Sequence, residues 1–450
     1  MNAELFRLGA VEAIARIMAG EITAVDLVGS CLDRIEKLEP QIKAWACLDR
    51  DHALEQARTA DSLPAEAQQS RRLCGIPIGV KDVFNTLKFP TQMGSPIRRG
   101  YMAGNDARAV AALRLEGAIV PGKTVTAEFS VHWPGPTRNP HNVDHTPGTS
   151  SSGSVAAVAA GMVPAALCTQ TAGSTIRPAS FCGVYGMKPS FGLIPRTGML
   201  KTTDTLDHVG FCSRNLDDVM LMLDVLRVSG PDYPMVAAKL RDRSPAGRPW
   251  RIGLLRGPFW DRTQDYARTA LLTFAGDLAR RGHEVKELEL PARFDRAYDI
   301  HTEIYESCLA YYFRIEGERH PALLSSRFRE MMERGSLVTP ARYAETVAEQ
   351  ERLATAMDAL LEPYDALITL SSNGEAPKGE EPRENLDTCP LWTLCGMPVL
   401  NLPVFTGPQG LPFGAQLISR KYDDLTLLNF ARHLERQGLV RPATVSPEAL

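Results

Sequence analysis

Two hydrophobic rhythms alternate along this chain. Val25, Val28, Cys31, Leu32, Ile35 and Leu38 recur at helical spacing behind Thr23-Ala24-Val25-Asp26, a capping box with Asp in the glutamate place, and Pro40 is expected to end that helix. A shorter helix over 11–18 is expected to pair with it. Residues 74–83 hold a short apolar run broken by Lys81, which reads as a strand ending in the charged pair Lys81-Asp82. The pattern then predicts a helix over 106–115, a strand followed by a turn over 118–123, a helical run at 155–163, and an amphipathic helix at 216–228. The proline-containing segment from Ser229 to Pro249 reads as a surface excursion. Beyond it, a strand at 251–255, a helix at 266–281 and a strand at 283–288 form a βαβ-type unit. Residues 298–361 are mainly helical, with Ile304, Tyr305, Cys308, Tyr311, Tyr312 and Phe313 as a stripe that reads as core. Strands are expected again at 366–370, 396–403 and 413–418. This alternation argues for an α/β class, and with no internal repeat or independent linker it reads as one domain over 1–450.

Composition narrows the class. A hydrophobic content of 44% over 450 residues is ample for a large core, and a net charge of −3 without long runs of one sign leaves no footprint for nucleic acid or an anionic membrane. No apolar window is long enough to span a bilayer, and the N-terminus lacks the pattern of a secretory signal, so a cytoplasmic protein is expected. Nine cysteines at 31, 47, 74, 168, 182, 212, 308, 389 and 395 include no CxxC pair. They read as buried free thiols, not as a disulfide framework or a zinc site, and neither metal nor cofactor is implied.

Candidate chemistry concentrates between His145 and Ser190, where two small-residue turns, one with a serine cluster and one with a lone serine, flank the 155–163 run. Such turns let backbone approach a ligand closely and can present N–H groups to an oxyanion; on composition alone they also fit flexible loops. The proline-rich loop 132–140 before them could wall a pocket, and His132, His141 and His145 around it read as solvated.

Three separated motifs then match one family in order and spacing. Pro147 to Ser154, then Thr171-Ala172-Gly173-Ser174 with Arg177, Pro178-Ala179 and Phe181-Cys182-Gly183, and upstream Gly75-Ile76-Pro77-Ile78-Gly79-Val80-Lys81-Asp82 resemble the amidase signature family, the Ser-cisSer-Lys amidohydrolases. The resemblance spans about residues 5–230 and resumes near 363–428. It implies a single amidase-signature domain, a mixed central β-sheet covered by helices on both faces, with its core at about 70–230 and 360–430 and a variable helical insertion at about 295–361. It also implies a catalytic trio. Ser174 would be the nucleophile, Ser150 the bridge and Lys81 the ultimate base, with the backbone N–H groups of Thr171, Ala172, Gly173 and Ser174 as the oxyanion hole. Lys81 must be neutral to act, and burial among Ile78 and Val80 would lower its pKa.

Two departures from the family pattern bear on the pocket. Gly-Gly-Ser-Ser-Gly-Gly stands here as Gly148-Thr149-Ser150-Ser151-Ser152-Gly153, so a positive φ at 149 or 152 would be difficult. The usual aspartate four residues before the nucleophile is Gln170, and the usual arginine stands one place later, as Arg177. Arg177, Ser151 and Gln170 are therefore the candidate substrate contacts, with Glu128, Asp204 or Asp207 as carboxylates that could instead pair with Arg177. The reading that results is a hydrolase that cleaves the C–N bond of a small linear carboxamide through an acyl-enzyme and leaves room for a homodimer. The alternative is the amidase-like glutaminase subunit of a tRNA-dependent amidotransferase, which generally keeps Asp-Thr-Gly-Gly-Ser where this chain has Gln-Thr-Ala-Gly-Ser. A binding protein that has lost catalysis fits less well, because Lys81, Ser150 and Ser174 are all present. An α/β-hydrolase lacks its G-x-S-x-G elbow here, and Cys182 as a nucleophile sits in a segment that reads as packing.

Overall fold

Lys81 closes a four-residue strand, β2 (Ile78–Lys81), that runs parallel to a neighbour on each side, β3 (Gly122–Thr124) and β4 (Ala165–Gln170). The structure is a computed structural model, and it describes residues 4–228, 240–379 and 387–440. Residues 229–239 of the expected excursion fall outside them. The remaining strands are β1 (Trp45–Leu48), β5 (Tyr185–Lys188), β6 (His208–Ser213), β7 (Arg251–Leu254), β8 (Glu284–Glu287), β9 (Ala366–Leu370), β10 (Val399–Thr406) and β11 (Pro412–Ile418). All eleven form one sheet in the order β1-β3-β2-β4-β6-β5-β10-β11-β9-β7-β8.

The sheet is mixed and helices cover both faces, as the fold class requires. Parallel pairing holds in β3-β2-β4 and in β9-β7-β8, and the middle of the sheet is antiparallel. The second parallel set contains the expected βαβ unit, since β7 and β8 are joined through the helix Asp265–Arg280 and lie side by side. The site draws on the first, because parallel strands end together. Lys81 and Gln170 therefore finish at one edge of the sheet, where the loops gather.

The local differences from the sequence pattern have physical causes. The capping box is present, with Asp26 N–H donating to Thr23 Oγ1 at 3.0 Å, yet the helix continues through Pro40 to Ile42. Leu38 and Ile42 stay buried across that last turn, and Lys43, at φ 54°, closes it by donating to Glu39 O. The strand expected at 118–123 begins only at Gly122, after Pro121, which has no N–H for a ladder. β1, β4, β5 and β6 carry no readable alternation; β4, β5 and β6 are buried at every position. In the serine turn the positive φ falls on Gly148, at +84°, and not on Thr149 or Ser152, so neither of those positions needs glycine for its φ.

Residues 297–360 form four helices, Ala297–Tyr312, Arg314–Arg319, Ser326–Ser336 and Pro340–Leu360. Ile304, Tyr305, Cys308 and Phe313 are core as expected, whereas Tyr311 is 77% exposed. Phe313 and Phe328 clasp Phe129, with ring centroids 4.8 and 5.5 Å from it, so the helical region packs directly behind the loop that carries Ser130. Among the described residues no helix is long and apolar enough to cross a membrane.

The helix Ser152–Ala159 crosses the sheet so closely that a side chain at Gly153 would sit 2.2 Å from Ala44 O and 2.4 Å from Val125 N. Those are backbone atoms and cannot swing away. Gly153→Ala is expected to cost about 3 kcal/mol or more, at or beyond the upper end of ordinary overpacking, measured as a loss of unfolding free energy in urea. A change below about 1 kcal/mol would show that the crossing relaxes freely.

Candidate active site

A lysine in an apolar sheet usually reaches for solvent or a carboxylate; Lys81 has neither. Its Nζ lies 2.6 Å from Thr169 Oγ1, 2.8 Å from both Ser130 Oγ and Ser150 Oγ, and 3.1 Å from Ser151 Oγ. No carboxylate pairs with it among the described residues. Burial therefore lowers its pKa to about 7, outweighing the distant charge of Asp207. The neighbouring buried lysine shows what pairing does. Lys123 Nζ sits 3.2 Å from Asp82 Oδ1 and donates to Phe84 O at 2.7 Å, so burial, which lowers its pKa too, is opposed there by an adjacent carboxylate.

Near neutrality, then, the Lys81 amine exists in both forms inside a ring of hydroxyls. A neutral amine has two N–H donors and one lone pair, so one of the four hydroxyls can hand it a proton. Ser150 stands in the right place, bound to Lys81 and, across 2.9 Å, to Ser130. The Thr149–Ser150 peptide bond is cis. Ser130 and Thr169 are the members of this ring that sequence reasoning did not single out. Ser130 is delivered by Phe129 and Ser130 at φ 44° and 62°, and nothing in the sequence of that loop announces such a backbone.

Ser174 joins the ring through the backbone, where Ser151 N–H donates to Ser174 O at 3.3 Å. Its hydroxyl makes no hydrogen bond among the described residues. Ser174 is 7% exposed while Ser150 and Ser151 are 0%, so of these three serines it is the one that a ligand can reach. Such contacts commonly tighten only when substrate binds.

The loop 171–174 is organised by its carbonyls. His301 Nε2 lies 2.8 Å from Thr171 O, Thr393 Oγ1 donates to Ala172 O at 2.7 Å, and Arg177 N–H donates to Gly173 O at 2.9 Å. In a trans peptide the following N–H points the opposite way, so each clamped carbonyl aims one N–H outward. Among the described residues the N–H groups of Ala172, Gly173 and Ser174 meet no protein acceptor. Asp207 anchors the start of the loop, accepting from Thr171 Oγ1 at 2.8 Å and from the backbone N–H groups of Thr202 and Thr203. His301 has its pKa lowered to about 4 by burial, so it is a neutral ring whose Nε2–H faces the carbonyl.

A cavity of about 430 Å³ opens at Ala172, lined among others by His132, Arg177, Tyr298, His301, Tyr305 and Arg327. Arg177 stands at its wall. Among the described residues Arg177 pairs with Asp387, 2.6 Å from Nε, and not with any of the three carboxylates the sequence suggested. Glu128 instead accepts from Ser325 N–H, Asp204 from the Tyr312 hydroxyl, and Asp207 from the threonines above. Ser151 and Gln170 do not border this cavity. Ser151 is engaged by Lys81 and by Thr169 N and O, while Gln170 Oε1 accepts from Thr175 and Ile176 N–H and its Nε2 donates to Thr393. His141 and His145 are tied to the carbonyls of Cys182 and Ala376 and are not solvated, and His132 borders the cavity. Burial pushes the Cys182 thiol well up, away from nucleophilic character.

Known proteins resemble this chain in sequence and in fold. The Amidase family model matches residues 26–428. A glutamyl-tRNA(Gln) amidotransferase component from Roseiflexus sp. (strain RS-1) is 32% identical, covering 96% of each chain. A chain of a vestigial protein complex that bears on the origins of an s-triazine catabolic enzyme superposes with TM-score 0.86 at 28% identity, over 97% of this chain and 100% of that one. The peptide amidase of Stenotrophomonas maltophilia does so with TM-score 0.81 at 27% identity, over 97% and 98%.

The buried amine has a consequence for stability that can be measured without a substrate. Its folded pKa of about 7 lies below the ~10.4 of an unfolded lysine, so between those values the unfolded chain holds a proton that the folded chain lacks. Unfolding free energy thus gains from rising pH in that window. Relative to Lys81→Met, the parent is expected to gain on the order of 3 kcal/mol between pH 7 and 10, read from paired urea titrations. A difference that stays constant with pH would mean that Lys81 is not held neutral.

Proposed function

Given a chain that belongs to the Amidase family, whose members are hydrolases of C–N bonds, we propose that it cleaves a small linear carboxamide through an acyl-enzyme on Ser174. The observation that carries this reading is the buried, carboxylate-free Lys81 amine hydrogen-bonded to Ser150. Ser174 Oγ attacks the carbonyl carbon while its proton passes to Ser150, whose own proton passes to the neutral Lys81 amine. The carbonyl π pair moves onto oxygen, where the outward N–H groups of Ala172, Gly173 and Ser174, with that of Thr171, stabilise it. When the pair returns, the C–N bond breaks and the leaving nitrogen takes a proton back along the same path from Lys81 through Ser150. Water then repeats the sequence on the ester, releasing the carboxylate and restoring Ser174.

The acyl group occupies the cavity beside Ala172, with Arg177 at its wall. Asp387 engages Nε of Arg177, Nη1 donates to Thr149 O at 3.5 Å, and the guanidinium borders the cavity. A substrate with a second carboxylate, such as the monoamide of a short diacid, meets that cation. A neutral amide does not use it.

A second reading is favoured by the relative from Roseiflexus, since that protein is part of an amidotransferase and matches 96% of this chain. On that reading the chemistry at Ser174 is the same, but the amide is glutamine and the ammonia passes to a partner. Gln170 and Ala172, where the usual turn has Asp and Gly, favour the independent hydrolase.

The test uses the purified chain alone. It is expected to react with an alkyl fluorophosphonate at Ser174 and to release ammonia from a panel of short carboxamides, with activity rising as pH passes about 7 and Lys81 loses its proton. Ser174→Ala is expected to abolish both signals. Ammonia from glutamine alone, and only with a co-purified partner, would transfer the conclusion to the second reading; reaction of the probe elsewhere would overturn both.

Arg177→Lys is expected to raise KM for a diacid monoamide about tenfold or more while moving KM for a neutral amide about twofold or less, since lysine cannot hold Asp387 and a second carboxylate as a planar fork does. Equal losses on both substrates would assign Arg177 to the scaffold.

A further inference from the structure

The three carbonyl clamps on the 171–174 loop are not equivalent. Arg177 N–H is backbone and His301 contributes a ring N–H, so each can only donate. Thr393 is different, because a hydroxyl has one proton and two lone pairs, and which way that proton points depends on its other neighbours. Thr393 Oγ1 has three. Ala172 O lies at 2.7 Å, Cys389 O at 3.0 Å, and Gln170 Nε2 at 3.1 Å. The orientation of the Gln170 amide is fixed at its other end, where Oε1 accepts from Thr175 N–H at 3.0 Å and from Ile176 N–H at 3.1 Å. Those two donors require an oxygen, so Nε2 faces Thr393 and fills a lone pair of its hydroxyl. The hydroxyl proton is thereby left for a carbonyl, and Ala172 O is the nearer of the two. All of these side chains are buried, so water does not compete.

We propose that Gln170 and Thr393 are positioning residues that hold the Ala172 carbonyl back and so aim the Gly173 N–H at the substrate oxyanion. The assignment rests on the reading of 171–174 as the oxyanion loop. A carboxylate at position 170 could not do the same. It would accept the same two N–H groups but offer Thr393 only an acceptor, drawing the single hydroxyl proton away from Ala172 O and releasing that peptide. A carboxylate side chain therefore requires a different way of holding this loop, and the pair at 170 and 393 works as a unit in which the amide is necessary.

The experiment reads phosphonylation of Ser174 by an alkyl fluorophosphonate, which needs the oxyanion donors but no knowledge of the natural amide. The Ser174 Oγ–P bond forms, the P–F bond breaks with loss of fluoride, and the serine proton passes through Ser150 to Lys81. Thr393→Val is expected to lower kinact about tenfold, with KI changed about twofold or less, because a donor is misdirected and not deleted. Thr393→Ser, which keeps the hydroxyl, is expected to stay within about threefold of the parent. Gln170→Glu, a change of one atom from nitrogen to oxygen, is expected to fall with Thr393→Val, and the double variant to be no slower than the slower single, since both act on one proton. Should Thr393→Val fail to fold, Gln170→Glu and Thr393→Ser carry the comparison. Parental kinact in Thr393→Val, or in Gln170→Glu, would overturn the proposal, as would Thr393→Ser being as slow as the valine. Ser174→Ala keeps the two levels apart: if it is labelled like the parent, the reading of the site itself fails, whereas an inert Ser174→Ala beside a fast Thr393→Val removes only the relay.

Discussion

An ammonium ion placed in a protein interior without a counter-ion is the constraint on which this structure turns. Lys81 cannot be stabilised by a carboxylate without becoming permanently charged, and it cannot be left bare without losing its place. Four hydroxyls resolve this, because hydroxyls accept from the charged amine and donate to the neutral one with little movement. Everything that supplies those hydroxyls is consequently fixed in position. Strand β4 brings Thr169, the serine turn brings Ser150, and the loop at Phe129 brings Ser130. Asp82 is the counter-example one residue away, bound to Lys123 and thereby withheld from Lys81.

The loop opposite is built on the reverse principle. There the protein saturates carbonyls so that N–H groups stay unsatisfied, a condition that a folded chain normally avoids. His301 and Thr393, from helices distant in sequence, hold two of those carbonyls. The buried amine and the 171–174 loop share Ser151, whose hydroxyl touches Lys81 and whose N–H holds Ser174 O. A displacement on either side is felt on the other through one residue.

Motifs made Lys81, Ser150 and Ser174 legible in the sequence because each stands in a stretch of small or patterned residues that a ligand-approaching backbone needs. The capping box at Thr23 and the β7-β8 unit were legible because each is local. Ser130 and Thr169 were not, since serine and threonine are common and only a three-dimensional ring gives them meaning. Asp387 was hidden for a related reason: it lies 210 residues from Arg177, and no local spacing links them. The middle strands β4, β5 and β6 escaped because complete burial removes the alternation by which a strand is recognised. His301 sits outside the stretches that carry the family motifs, where a helical histidine beside aromatic residues looks like packing.

The contact of Phe129 with Phe313 and Phe328 carries a consequence for how such a chain can diversify. The helices Ala297–Tyr312 and Ser326–Ser336 wall the pocket, so they are the natural place for selection or an engineer to alter which molecules fit. Yet the same helices press on the residue preceding Ser130, a partner of the Lys81 amine. Transplanting them from another scaffold would exchange the reactor wall together with a strut of the reactor. Swaps that keep an aromatic pair at 313 and 328 preserve that strut, and diversification is channelled toward the cavity-facing positions of the first of these helices, such as Tyr298 and Tyr305.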